Sequence, residues 1–325
     1  YSHRPGRWVA EAKWPSSGIG VQRLPLAPAR ILKEGEPAPE ASLAIQSPLT
    51  LGLFAGKWCS YAAGPDLAHD QRQEDGGALI FESAPLAEAI EILGSALLEV
   101  EVAADRPIAM LAARLSDVAP DGKATRVTYG LLNLTHRASS RHPEALEPGR
   151  FYRVGVKLND VAQAFPPGHR IRLSLSTSYW PLAWPPPEPV QLTISAGAST
   201  FTLPVRSPSS QDADLPAFGP PEAAAPLART MIEPAHHNWR VIRDLASDVS
   251  TLEVIDDRGE WRLDDIDLTV RSKTAETYAS CDDDFTSLRG EVRAERALRR
   301  GAWSVRTLTR TVLTSNAHDF RVQAD

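Results

Sequence analysis

The chain has 325 residues, 42% hydrophobic and 23% charged, with 41 acidic against 35 basic side chains and a formal net charge of −6. That is enough apolar matter for one or two packed cores, and the mildly acidic balance offers no basic field to gather polyanions, so nucleic acid is not an expected partner. The longest apolar run, residues 90–102, is interrupted by Glu91, Glu99 and Glu101 and falls short of the ~18 uncharged residues of a helical span, so no membrane partner is expected either.

Residues 1–21 contain no apolar core, which gives no reason to expect a secretory leader. Cys59 and Cys281 lie too far apart to make a disulfide framework or a zinc site by spacing, and read as small buried apolar residues in a reducing, cytoplasmic compartment. Along the chain, 27 prolines and 20 glycines leave little room for helices longer than about three turns. The expectation is an all-β fold.

Residues 1–45 read as a lead-in segment. The stretch 58–75 is too long and polar for a hairpin turn, and long irregular loops in compact domains tend to serve function or a neighbour. Residues 85–94 read as loop then strand. Segments 97–102, 108–115, 126–129 and 152–158 are apolar or alternating, and 170–176 alternates most cleanly, with Ile171, Leu173 and Leu175 on one face and Arg170, Arg172, Ser174 and Ser176 on the other. With 191–195 and 200–203 this makes seven or eight strands, the count of a two-sheet jelly roll, a galactose-binding-like β-sandwich over residues 46–206. The run 179–187 (YWPLAWPPP) sets Trp180 and Trp184 on a rigid segment that could be a buried plug, an interdomain contact or a sugar-stacking platform.

Residues 207–229, rich in Pro and Ala, read as an extended linker. Residues 230–325 form a second antiparallel β unit, with strands at 251–255, 260–263, 266–270, 287–292 and 303–313 and a hairpin turn at 256–259 (DDRG). The strand-like final residues 320–325 suggest a truncated unit.

Motifs of chemistry are missing. There is no G-x-S-x-G elbow, phosphate loop, dinucleotide-binding G-x-G-x-x-G, H-E-x-x-H or C-x-x-C. Adjacent His236 and His237 chelate one metal poorly, and Asp282 to Asp284 lack the alternating oxygen ligands of a calcium loop. No catalytic residue, metal or cofactor is expected.

Four ordered motifs carry a resemblance: 4–15 (RPGRWVAEAKWP), 70–86 (DQRQEDGGALIFESAPL), 113–137 (ARLSDVAPDGKATRVTYGLLNLTHR) and 165–194 (FPPGHRIRLSLSTSYWPLAWPPPEPVQLTI). The chain resembles the C-terminal part of CocE/NonD-type acyl esterases, which share a jelly-roll module with X-Pro dipeptidyl-peptidases. The resemblance implies a parent serine hydrolase whose Ser, His and Asp lie in an α/β-hydrolase domain absent here, so no catalytic residue carries over and this chain is expected to be inactive alone. It also implies that the α/β-hydrolase domain of the same parent chain is the partner. Within DVAPDG, Asp117, Pro120, Asp121 and Gly122 are expected to make a tight strand connection, and Gly168 to turn the chain before Arg170.

The reading is therefore an accessory region that completes or shields the hydrolase pocket and stabilises the enzyme, with Trp58, Tyr61, Asp70, Arg72 and Asp75 as the candidate interface and Trp180 and Trp184 as further candidates. Arg72 between two aspartates equally suits an ion-pair network that shapes the loop. The alternatives are a stand-alone carbohydrate-binding module and an oligomerisation platform making homo-oligomers.

Overall fold

The computed structural model describes residues 6–59 and 66–325 and is almost entirely β. Among these residues, twelve strands build the N-terminal sandwich: β1 (Ile19–Ala27), β2 (Arg30–Ile31), β3 (Ser42–Ile45), β4 (Leu79–Glu82), β5 (Ile90–Gly94), β6 (Leu97–Ala104), β7 (Met110–Val118), β8 (Ala124–Asn133), β9 (Tyr152–Lys157), β10 (Val161–Phe165), β11 (Arg170–Ser176) and β12 (Leu192–Arg206). In one layer β12 is central, with β1 and β3 on one side, β6 and β5 on the other, and β9 and β10 outermost. The other layer runs β2-β4-β11-β7-β8. The end of β1 also pairs with β2, so one strand serves both layers and closes that side.

Period-2 alternation drives the two layers together, because every second side chain of a strand points to the same face. Leu98, Val100 and Val102 of β6, Leu111 and Leu115 of β7, Ile171, Leu173 and Leu175 of β11 and Ile194, Phe201 and Leu203 of β12 meet in one continuous core. Each such side chain contributes roughly 1.5–3 kcal/mol on burial. The expected strand of 85–94 is β5, preceded by loop. The DVAPDG turn closes β7 to β8, with Gly122 at φ +85° and the Asp121 carboxylate accepting from Lys123 N. Gly168, at φ +80°, turns the chain into β11.

Three features differ from the sequence reading. Residues 19–45, expected as a lead-in, supply β1 to β3 and are built into the sandwich. Cys59 is exposed, at a bend, and Cys281 half-buried, at the end of a strand rather than in its interior. Strand β7 is buried along its whole length, because residues 47–59 and 66–78 fold back over its outer face.

A cluster of charges fastens the ends of the sandwich. The buried Arg206 guanidinium bonds Glu11 at 2.6 Å and Asp212 at 2.6 and 2.8 Å, and Arg7 joins Asp212 to Glu91. This holds the segment around Trp8 beside a short 3-10 turn, Ser210–Ala213, and Trp8 rests on Phe218 at 5.0 Å. The Arg206 hydrogen bonds hold Asp212 far below the usual carboxylate range. A group whose folded pKa is depressed stabilises above its unfolded value of about 4 and loses that contribution as pH falls. Acidification from pH ~4 towards 2 is therefore expected to release the turn, seen as a change in Trp8 emission before loss of β-sheet circular dichroism. The step should vanish in Arg206→Met; coincidence with global unfolding in the unmodified chain would refute it.

The second unit is a single antiparallel sheet of β13 (Arg229–Glu233), β14 (His236–Asp244), β15 (Val249–Leu263), β16 (Leu268–Cys281), β17 (Asp284–Arg300), β18 (Trp303–Ser315) and β19 (Phe320–Ala324). Strands β13 and β14 lie end to end along β15, and β16 to β19 follow as a meander. The DDRG segment is not a hairpin turn. It forms a bulge inside the continuous strand β15, with a register shift between Asp257 and Glu260 and Gly259 at φ +74°. Turn chemistry and bulge chemistry share the same need for a left-handed glycine, and here a Cβ on residue 259 would sit 2.2 Å from the Glu233 carbonyl.

The two units are packed together. Leu49 and Trp180 of the sandwich bury against Phe285 and Leu288, while Leu53 buries against Leu252 and Val254, with Trp239 and Tyr278 alongside. Asp283 accepts a hydrogen bond from Leu49 N at 3.0 Å, and Trp184 Nε1 donates to Ser315 Oγ at 2.9 Å.

Candidate docking surface

Residues 47–59 and 66–78 are held on the outer face of β7 and β11 by a buried polar lattice. Ser47 and Thr177 exchange backbone-to-hydroxyl bonds at 2.9 and 3.1 Å, and Gln71 N donates to the Ala124 carbonyl. The helical turn α1 (Arg72–Asp75) then aims Glu74 and Asp75 inward. Glu74 accepts from Gly52 N and Phe54 N at 2.5 and 2.7 Å. Burial pushes the Glu74 carboxyl up from its ordinary value, against the pull of the Arg114 charge and these two bonds.

Arg114, whose side chain is fully buried, donates to Gln71 Oε1 at 2.9 Å and to Asp75 at 3.4 Å. Asp75 also accepts from Ser174 Oγ and Arg172. Arg172 continues to Glu82, which Arg170 bonds as well. Burial works to raise the Glu82 carboxyl, but the bonds from Arg170 and Arg172 outweigh it and hold it below the usual range. Buried charges need such partners: Asp75, Arg172 and Glu82 are ion-paired, Glu74 is held by two backbone donors, and of these groups only the Arg114 Nε lacks a partner among the described residues.

The lattice supports an exposed edge. Trp58 is 65% exposed and meets Tyr129 edge-on at 5.9 Å, and Tyr129 in turn lies 5.9 Å from Tyr179. The Arg126 guanidinium stands 4.5 Å above Tyr129 and donates to Tyr179 Oη at 2.7 Å. Leu67 is exposed nearby in sequence, and Lys57 reaches Asp66 and Glu276.

The predicted residues thus fall in several places. Trp58 stands on the edge, Tyr61 lies outside the described residues, and Asp70 pairs with Arg72 on the surface at 2.6 Å. Asp75 points the other way, to Arg114 and Arg172, so Arg72 pairs with Asp70 and does not bridge the two aspartates. Trp180 is buried between the two units with no exposed ring face, whereas Trp184 is half-buried and lines a cavity of about 420 Å³ with Met110, Leu131, Pro186, His318 and Phe320. The sequence reading missed Gln71, Glu74, Arg114, Arg126 and Tyr129. An arginine in an otherwise apolar strand, facing an acidic loop, was the available signal for Arg114. Among the described residues, no three or more His, Cys, Asp or Glu side chains gather as a metal site requires, and no helix is long and apolar enough to cross a membrane.

Comparisons place this architecture. The solved structure of an aminopeptidase from a marine sediment Thaumarchaeota archaeon superposes with a TM-score of 0.55 at 18% identity, over 62% of this chain and 39% of that one. An α-amino acid ester hydrolase gives 0.48 at 20% identity, over 57% and 36%. The cocaine esterase of Rhodococcus sp. (strain MB1 Bresler) is 28% identical over 92 residues, 28% of this chain and 16% of the esterase. The chain therefore spans well under half the length of these relatives. The profile described as the X-Pro dipeptidyl-peptidase C-terminal non-catalytic domain matches residues 1–229, the whole sandwich and the linker. With the sandwich complete from β1 to β12 and more than half of the sequence matched, the chain belongs to the family of X-Pro dipeptidyl-peptidase C-terminal non-catalytic domains.

Proposed function

We propose that this chain is the accessory region of a serine hydrolase, of the acyl esterase or X-Pro dipeptidyl-peptidase kind, and that it docks on the α/β-hydrolase domain of the same protein to complete or shield its substrate pocket. The observation that carries the reading is Trp58, an indole largely in solvent yet fixed over Tyr129 on a loop locked from beneath. An exposed tryptophan beside tyrosine and a half-buried arginine on a rigid support is how interface anchors are built. The carbohydrate reading is weaker, since the Trp180 ring is covered.

The isolated chain is expected to give no labelling with a fluorophosphonate probe. Titrated against a separately produced catalytic domain it should bind, and Trp58→Ala should weaken that binding about 30-fold, the effect of losing an anchor worth about 2 kcal/mol. Saturable labelling of a serine in the isolated chain, or an unchanged Kd for the variant, would overturn the proposal.

A further inference from the structure

The second sheet projects beyond the sandwich, and its two faces differ there. Residues directly opposite in an antiparallel ladder share a face. Met231 pairs with Trp261, Trp261 with Val270, Val270 with Leu298 and Leu298 with Val305, an unbroken apolar row across five strands. One step further out on the same face, Leu263 faces Leu268, and Trp303 lies opposite Arg300. None of these side chains belongs to a buried cluster, and Met231, Trp303 and Val305 are 49, 52 and 43% exposed.

Charge separates the faces as well. On the opposite face of this overhang, Arg271 is paired with Glu233, Arg299 with Glu260 and Arg306 with Glu295, as a solvated surface would be. On the apolar face, Arg229, Arg296 and Arg300 are exposed and, among the described residues, have no ion-pair partner. An apolar row rimmed by unpaired cations fits a partner with an apolar ridge and acidic margins.

The same face is already an interface nearer the sandwich. Glu276 and Tyr278, on the face of Val270, lie opposite Val254 and Leu252, which pack on Leu53. Lys57, beside Trp58, pairs with Glu276 and stands 5.9 Å from the Trp239 ring. A body seated on the Trp58 edge therefore lies in the corner between sandwich and overhang. A second copy fits less well, because a two-fold contact through this patch brings together two margins that both carry unpaired arginines and supplies no carboxylate for them.

We infer that the overhanging face, from Met231 to Val305, is a second docking surface for the catalytic domain of the same protein, continuous with the Trp58 edge. The inference rests on the docking role proposed above. Hydroxyl-radical footprinting read at Met231, Trp261 and Trp303 tests it, comparing the isolated chain with the full hydrolase that carries it. In the full hydrolase, oxidation of the three should fall at least fivefold, independently of concentration, and Arg296→Glu with Arg300→Glu, both on solvent-exposed positions, should restore at least threefold of it. Equal oxidation in both proteins overturns the inference, as does protection that appears only with rising concentration alongside dimer in sedimentation. Protection of Trp58 without that of Trp261 sinks this surface and leaves the docking role standing; protection of neither sinks both.

Discussion

Trp180→Ala will cost about 3–5 kcal/mol of stability, the range for emptying a buried tryptophan site. The ring is 1% exposed and stands between the two β units, edge-on to Trp184 at 4.8 Å and to Tyr278 at 6.0 Å, with Leu49, Phe285 and Leu288 around it. Collapse cannot fill the hole easily, because the backbone beside it is fixed: Gly52 sits at φ +120°, where a Cβ would come within 2.2 Å of the Trp180 carbonyl oxygen. The loss should also uncouple the units, so urea unfolding should pass from one transition to two, with a lower slope for the first. Trp180→Phe makes the control. The indole N–H has no hydrogen-bond partner among the described residues, so phenylalanine forfeits volume alone and should cost about 1–2 kcal/mol. A change below 1 kcal/mol for alanine, with a single transition retained, would show that Trp180 does not join the units.

Arg114→Met is expected to cost about 3 kcal/mol or more, for an electrostatic rather than a packing reason. Removing one member of a buried pair leaves the other without compensation, whereas replacing both is often close to neutral. Here methionine would strand the Gln71 side-chain Oε1 and one side of Asp75, which keeps Ser174 and Arg172. Arg114→Met combined with Asp75→Asn should therefore be more stable than the single variant, a coupling that a double-mutant cycle measures directly. Since the lattice holds residues 47–59 and 66–78 down, proteolysis in those stretches should rise in the single variant before global unfolding does. If the midpoint of urea unfolding stays put, the lattice is decoration and the rigidity assigned to the Trp58 edge has another source.

The fold class was legible in residues such as 170–176, where strict alternation decides which face is core, and in turn residues such as Gly122 and Gly168, whose backbone angles only glycine adopts cheaply. The DDRG segment shows the limit of such signals: the same glycine serves a turn or a bulge, and only its clash-free approach to Glu233, far along the chain, selects the bulge. The docking edge was half legible. Trp58 stands out as an aromatic in a polar loop, but Tyr129 and Arg126, which steady it, lie on a strand 70 residues away whose pattern reads as ordinary sheet. Arg114 was hidden because its value depends on which loop covers it. The apolar row of the overhang escaped as well, since five residues on five strands form no local pattern until register aligns them.

The closing strand of the sandwich sets an order of events during synthesis. Pro25 pairs with Thr200 and Ile19 with Arg206, so β1 waits for β12 across 175 to 187 residues. At a translation rate of about 5–20 residues per second, β1 spends roughly 10–35 s with one edge open and no native neighbour on that side. Non-local pairing of this kind is slow and exposes sticky edges to other nascent chains. The sheet that follows has the opposite economy: from β15 to β19 each strand finds its partner in the next one along, so it can assemble hairpin by hairpin as it leaves the ribosome. Ribosome-bound chains halted just before and just after residues 200–206 emerge should therefore differ sharply in chaperone association.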